Sequence, residues 1–148
     1  MTREQLLTFM RSHRYAVEAS VSSSGGVQAA VVGIVVTDDF EIFFDTLAET
    51  RKARNLRRNA AIAFVIGGTA PDDERSVQYE GVADQPEGTE LERLKTLYFD
   101  RFPDGRERQS WPGLIYLRAR PSWLRYSDFS RAPPEIVELD ARQLRAMS

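Results

Sequence analysis

Three short segments of β-type sequence, separated by two tight turns, limit the possible folds of this chain more than any other feature. Tyr15–Ser22 is rich in β-branched and small residues, Gln28–Val36 is almost wholly apolar, and Glu41–Asp45 contains two consecutive phenylalanines. The intervening Ser23–Gly26 and Thr37–Asp39 have turn composition and leave no room for a crossover helix. The pattern predicts an antiparallel meander whose apolar middle strand is covered on both faces.

Three further strands are predicted downstream. They are Ala61–Ile66, Ser76–Asp84 and a final strand formed by Leu114–Arg120 and Trp123–Ser127, which kinks at Pro121 because proline cannot donate a ladder hydrogen bond. Strands that cluster rather than alternate with helices predict a mostly β (α+β) fold. A six-stranded antiparallel barrel, closed or split, with flanking helices would protect the strand edges.

Three helices are predicted around these strands. Thr2–Ser12 opens with a capping box, Thr50–Asn59 begins at a good N-cap residue, and Thr89–Arg101 opens with a second box. The lone histidine, His13, is expected to interact with the carbonyl end of the first helix. Phe102–Gly113 is predicted to be an irregular loop.

The chain length of 148 residues suits one domain. We assign residues 1–130 to it and interpret residues 131–148 as a C-terminal tail, because two consecutive prolines and a charged stretch follow Ser130. A short helix beginning at Asp140 would be marginally stable alone.

The composition excludes several classes of function. No cysteine and one histidine are present, which excludes disulfides, thiolate metal ligands and a multi-histidine metal site within one chain. A net charge of −2 gives no general attraction to nucleic acid or to an anionic membrane. The N-terminus has no apolar signal core and no apolar run could span a bilayer, so we expect a cytoplasmic protein.

The segment from Phe43 to Leu56 carries the most chemical information. A strand ends, a short loop follows, and a helix starts with Thr50, Arg51 and Lys52 in succession. Free amides at a helix start bind anions, whereas cations there oppose the helix dipole. A bound phosphate would explain this arrangement. An Arg-rich surface helix explains the same residues, and a basic nucleic-acid-binding patch is a third interpretation.

The ordered set of motifs from Gln28 to Ala83 resembles the FMN-binding split barrel of the pyridoxamine 5′-phosphate oxidase-like family. The set comprises the apolar strand, Phe-Phe-Asp-Thr at Phe43–Thr46, the Thr-Arg-Lys helix start, and Tyr-Glu-Gly-Val-Ala at Tyr79–Ala83. Trp111-Pro112-Gly113 and Pro121–Tyr126 also look similar to that family. The resemblance extends over most of residues 5–129.

The resemblance implies a cofactor site and an assembly. FMN would lie at the interface of a homodimer, bound through its phosphate, its ring and the aromatic residues near the C-terminus. The implied residues are Val31, Val32, Gly33, Thr46, Thr50, Arg51, Lys52, Gln78, Trp123 and Tyr126.

Two departures from the family pattern shape the expected activity. The strand Ala29–Val36 lacks the Arg and Lys that the family's oxidases place there, and no Arg-x-His element follows Tyr126. We therefore expect an FMN-dependent oxidoreductase acting on a small molecule rather than a vitamin B6 enzyme, with its catalytic residues unassigned. The alternatives are a deazaflavin F420-dependent reductase and a non-catalytic flavin- or haem-binding protein.

Overall fold

Eight antiparallel strands and five helices make up the fold, taken from a computed structural model that describes residues 1–148. None of the five helices has the length and apolarity needed to cross a membrane. In chain order the elements are α1 (Arg3–Arg11), β1 (Tyr15–Val21), β2 (Val27–Gly33), β3 (Val35–Val36), β4 (Ile42–Leu47), α2 (Arg51–Arg58), β5 (Ala61–Gly67), β6 (Arg75–Asp84), α3 (Gly88–Arg101), α4 (Gly105–Arg108), β7 (Leu114–Asp128), β8 (Glu135–Asp140) and α5 (Ala141–Ala146).

The sheet closes into a barrel because one stretch of chain supplies both of its ends. The strand order is β2-β1-β5-β6-β7-β4-β3, and the terminal strands β2 and β3 are separated only by Ile34. The amide of Ile34 donates to the carbonyl of Arg14 at 3.0 Å, and the chain then leaves β1 to pair with β4. Counting β2 and β3 as one broken strand, and leaving out β8, which pairs only with β7, gives the predicted six-stranded antiparallel barrel.

The barrel is incompletely closed where β2 and β4 face each other. The β3–β4 pairing is limited to Val35 with Phe43 and Val36 with Ile42. Along its length β2 pairs only with β1, and beyond Phe43 β4 pairs only with β7. We call the gap between these unpaired edges of β2 and β4 the split. Because α2 follows β4 and packs against β1 and β2, its first turn borders the split.

Two apolar cores hold the elements in place. The main core fills the barrel, and α1, α2 and α5 add Leu6, Leu56 and Leu144 to it. A smaller core lies where α3 packs outside β4 and β7, with the rings of Phe43 and Tyr116 stacked at 5.5 Å. Helices therefore cover both ends of the barrel, with α1 next to Gly67 and α2 next to Ser20, and α3 covers one part of its outer wall.

The long strand β7 bends at the predicted position without breaking. Its register with β6 shifts between Glu80 and Gly81, and Pro121 lies opposite this bulge. A Cβ atom on Gly81 would lie 2.4 Å from the carbonyl oxygen of Arg120, so the close approach of the two strands requires glycine.

Two local predictions for the third helix and its loop were wrong. The helix α3 begins at Gly88, and its N-cap Glu87 makes no side-chain cap bond, so the capping box proposed at Thr89 does not form. The following loop contains the one-turn helix α4. The capping box of Thr2 with Gln5 and the N-cap at Thr50 are confirmed.

Residues 131–148, predicted to be a tail, pack on the barrel. β8 pairs with β7 along Trp123–Asp128, the half of that strand edge that β4 leaves free. Asp140 and Gln143 form a capping box for α5, and Leu144 is 2% exposed in the main core. The prediction missed this pairing although β8 follows β7 closely in sequence, because the free half of the β7 edge depends on where the distant strand β4 ends.

Candidate functional site

The two threonines at the split differ in their roles. The Thr50 hydroxyl donates to the carbonyl of Leu47 at 2.8 Å and accepts from the amide of Ala53 at 3.4 Å. Thr46, on β4, is 7% exposed, and its hydroxyl lies 3.1 Å from that of Thr50. Thr50 is therefore committed to starting the helix. The amides of Arg51 and Lys52 precede the first capped amide and are free to meet an anion.

Four of the five cations of α2 fall into two groups, and the fifth, Arg58, is exposed in its last turn. Arg54 donates to the carbonyl of Glu49 at 2.8 Å, and Arg57 donates to the carbonyl of Ala48, so these two hold the loop before the helix. Arg51 and Lys52 form no ion pair and no side-chain hydrogen bond, and the first turn contains no acidic residue. Two uncompensated cations thus stand at the positive end of a helix dipole, an arrangement that favours an anionic ligand.

The predicted ring-binding strand lies along the other edge of the split. Val32 points into the barrel and is 7% exposed, whereas Val31 points outward and is 69% exposed. Gly33 ends β2, where the ring of Phe102 lies 2.8 Å from the place a Cβ atom would take. The prediction that this strand is covered on both faces was wrong for a single chain, because apart from Phe102 at Gly33 nothing packs on its outward side, where Val31 is exposed.

Four neighbouring strands, with part of β7, present an apolar outward surface that we call the outer sheet face. Its side chains form two rows across the sheet. The first consists of three valines followed by a glutamine and an arginine, and the second consists of three alanines followed by a glutamate and a tryptophan. Gln78 and Trp123 line the same cavity of about 160 Å³. By strand register the rows are Val31, Val17, Val65, Gln78 and Arg125, and Ala29, Ala19, Ala63, Glu80 and Trp123.

The sequence was compared with known families. Residues 2–128 match the family model described as pyridoxamine 5′-phosphate oxidase, which is most of the chain. This chain belongs to the pyridoxamine 5′-phosphate oxidase family. A comparison with curated proteins found no match.

Solved structures share the fold of this family member at low sequence identity. A haem-binding protein from Mycobacterium smegmatis aligns with a TM-score of 0.83 at 17% identity over 97% of this chain, which spans 60% of that protein. HutZ, a haem storage protein from Vibrio cholerae, aligns with a TM-score of 0.70 at 17% identity, covering 82% of this chain and 91% of HutZ. General Stress Protein 26 from Bacillus anthracis aligns with a TM-score of 0.69 at 20% identity, covering 93% of this chain and 98% of that protein. These likenesses establish the fold.

One residue that the family resemblance placed at the cofactor lies elsewhere in the single chain. Tyr126 points into the barrel, is 5% exposed, and packs edge-on against Phe9 at 5.5 Å. It reaches solvent only beside a groove of about 780 Å³ next to α1. Trp123 lies three positions earlier and therefore faces the opposite side of β7. This alternation was available from the sequence and could have separated the two aromatics.

A polar network beside the split escaped the sequence analysis of this family member. The hydroxyl of Tyr98 donates to Asp45 at 3.0 Å, and Arg108 donates to the other oxygen of the same carboxylate at 3.0 Å. Burial, reinforced by the Asp45 charge, raises the pKa of Tyr98, so this hydroxyl stays protonated. The network fixes the end of β4 next to Thr46. It could not be predicted because it joins residues more than 50 positions apart.

Proposed function

We propose that this member of the pyridoxamine 5′-phosphate oxidase family is a flavoprotein that binds FMN at the split and catalyses oxidation–reduction of a small molecule. The observation that carries the proposal is the pair Arg51 and Lys52, which lack protein partners at the start of α2. Cations in a first helical turn oppose the helix dipole and are stabilised when an anion binds there.

The residues around the split suit the parts of this cofactor. Thr46, Arg51 and Lys52, with the free amides of α2, would hold the phosphate, since a guanidinium and an ammonium both bind phosphate oxygens strongly. The unpaired backbone edge of Val31–Gly33 would supply hydrogen bonds to the polar rim of a flavin. Thr50 would contribute indirectly by fixing the helix start.

A second copy of the chain would complete the site. Gln78 lies three strands away from β2, which corresponds to roughly 14 Å at the usual spacing of paired strands. A ring that lies along β2 of one chain is therefore out of contact with Gln78 and Trp123 of that chain. A symmetric dimer that pairs the outer sheet faces would bury the exposed valines, of which Val31 is 69% and Val65 44% exposed, and would bring such residues to the split.

The chemistry is divided between cofactor and protein. When bound, FMN supplies the capacity to accept and donate electrons or hydride. The chain's own residues bind the phosphate, align the ring along β2 and exclude water through the apolar rows. Tyr98 is committed to Asp45 and keeps its proton, so it holds the end of β4 rather than taking part in proton transfer.

Haem binding is the second candidate function. It is favoured by the fold shared with haem-binding proteins and by the flat valine and alanine rows, which suit a planar porphyrin. The single histidine gives this candidate little support, because it lies away from these rows: His13 follows α1, where its Nδ1 atom is 3.0 Å from the carbonyl oxygen of Phe9 and its ring packs on that phenylalanine. This contact matches the helix-end role predicted for His13.

Titration of the purified protein with FMN, riboflavin, F420 and haemin tests the proposal. We expect FMN to bind with a shifted two-band flavin spectrum and to stay bound through gel filtration, and we expect Arg51→Ala with Lys52→Ala to abolish retention without unfolding the protein. The matched control, Arg142→Ala with Arg145→Ala, removes the same charge from exposed positions on α5 and should retain FMN. Equal FMN affinity in the two double variants would refute the phosphate site. A protein that gives a Soret band with haemin and does not bind FMN would favour the second candidate.

A further inference from the structure

An acidic side chain without a hydrogen-bond partner lies inside the barrel beneath the start of α2. Glu18 is on β1, is 1% exposed, and neither of its carboxylate oxygens has a hydrogen-bond partner. An ionised carboxylate in such a place is strongly destabilised, whereas the neutral acid is tolerated much better. The protonation of this residue is therefore coupled to whatever cation can reach it.

The neighbours of Glu18 leave one candidate cation. Across the sheet it is flanked by Ala30 on β2 and Phe64 on β5, neither of which carries a charge. The polar amide of Asn55 on α2 is already used, because its Nδ2 atom donates to the hydroxyl of Ser20 at 3.1 Å and to Gln28 at 3.2 Å. Lys52 lies one helical turn before Asn55 on the same face of α2, and it is the cation of α2 whose charge lowers the pKa of the Glu18 carboxyl.

The balance of these effects leaves Glu18 titrating near neutral pH. Burial raises its pKa to about 7, and the charge of Lys52 opposes this increase only in part. Lys52 therefore belongs to two sites. It forms no ion pair at the proposed anion site, and its charge acts on the buried carboxyl of Glu18 beneath it.

We propose that Glu18 is a positioning residue that makes anion binding at α2 depend on a proton. When Glu18 is neutral, the Lys52 ammonium is available to the phosphate; when Glu18 is ionised, it competes with the phosphate for that ammonium. This inference rests on the proposed phosphate site of FMN. It adds a specific dependence on pH that the family resemblance does not contain.

The linkage has a definite direction. Binding of a phosphate near Lys52 favours the neutral form of Glu18, so binding takes up a proton and affinity falls as pH rises through about 7. Couplings between nearby sites commonly change affinity by roughly 5- to 150-fold. Since Lys52 is one of several phosphate donors here, we expect a loss near the lower end, about fivefold to tenfold between pH 6 and pH 8.5.

The first test measures FMN affinity by fluorescence quenching across this pH range. We expect wild-type affinity to fall and Glu18→Gln to keep the tighter affinity throughout, while riboflavin, which lacks the phosphate, shows no such difference between the proteins. Glu49→Gln is the matched control, because it removes an exposed acidic charge one residue before Thr50 and should leave the pH profile unchanged. Parallel profiles for wild type and Glu18→Gln would overturn the proposal.

A second measurement needs no cofactor. The chain contains only two lysines, Lys52 and Lys95, so the side-chain signals of isotope-labelled lysine report each one separately by NMR. We expect the Lys52 signal to show an inflection near pH 7 in the wild type and none in Glu18→Gln, while the Lys95 signal shows none in either protein. Absence of the inflection overturns the coupling of Glu18 to Lys52. If the Lys52 signal shows the inflection but the protein does not bind FMN, the proposed cofactor is wrong and the coupling of Glu18 to Lys52 still holds.

Discussion

Replacing Glu18 by glutamine should change how the stability of the fold depends on pH. Burial raises the pKa of this carboxyl from its ordinary value of 4.5 to about 7. The folded protein therefore keeps a proton that the unfolded chain has already lost over this range, and the free energy of unfolding of the wild type decreases as pH rises from about 4.5 to about 7. Glutamine cannot ionise, so the variant does not share this loss.

The size of the effect follows from the same values. Each pKa unit corresponds to about 1.4 kcal/mol, so the full difference is roughly 3 kcal/mol. Most of it, about 2.5 kcal/mol, develops between pH 5 and pH 8. We therefore expect the stability of Glu18→Gln relative to wild type to increase by about this amount between these two pH values.

Urea denaturation of both proteins at half-unit steps from pH 5 to pH 8 measures this difference directly. Other groups with altered pKa values, such as Asp73 and Asp128, are common to both proteins and cancel in the comparison. A stability difference that stays constant over the range would show that Glu18 ionises as it does in the unfolded chain. The reasoning from its burial would then be refuted.

Two further predictions concern the outer sheet face and the ion-pair network around Arg118. Ala19→Arg places a charge in the middle of the alanine row, and we expect it to convert the proposed dimer into a folded monomer, as measured by analytical ultracentrifugation. A sedimentation coefficient equal to that of the wild type would exclude this face as the interface. Arg118 is 4% exposed and pairs with Asp84 at 2.7 Å and Glu90 at 3.0 Å. Arg118→Ala should lower the free energy of unfolding by about 1.5–3 kcal/mol in chemical denaturation, because these charge-assisted hydrogen bonds are lost while both carboxylates keep a second arginine partner. A loss below about 1 kcal/mol would mean that the network contributes little.

Local signals were sufficient to locate the start of α2. Thr50 is an N-cap residue by its own chemistry, and the absence of acids in the first turn can be read directly from the residues that follow it. The sequence could not show which cations of α2 remain free to bind an anion. Arg54 and Arg57 bind carbonyls of the preceding loop, and the path of that loop depends on the barrel. The same limit applies to Tyr98 and Asp45, which meet only after α3 packs outside β4.

The sequence by itself determined the strand periodicity, the short turns between β1, β2 and β4, and therefore the six-stranded antiparallel barrel. These depend on interactions between neighbours along the chain, which composition and spacing encode. Only the tertiary structure decided that β8 fills the free edge of β7, that Trp123 and Tyr126 face opposite sides of the sheet in the single chain, and that Glu18 lies without a partner beneath Lys52. Each of these depends on which distant segments pack together, and burial, unlike periodicity, is a property of that packing.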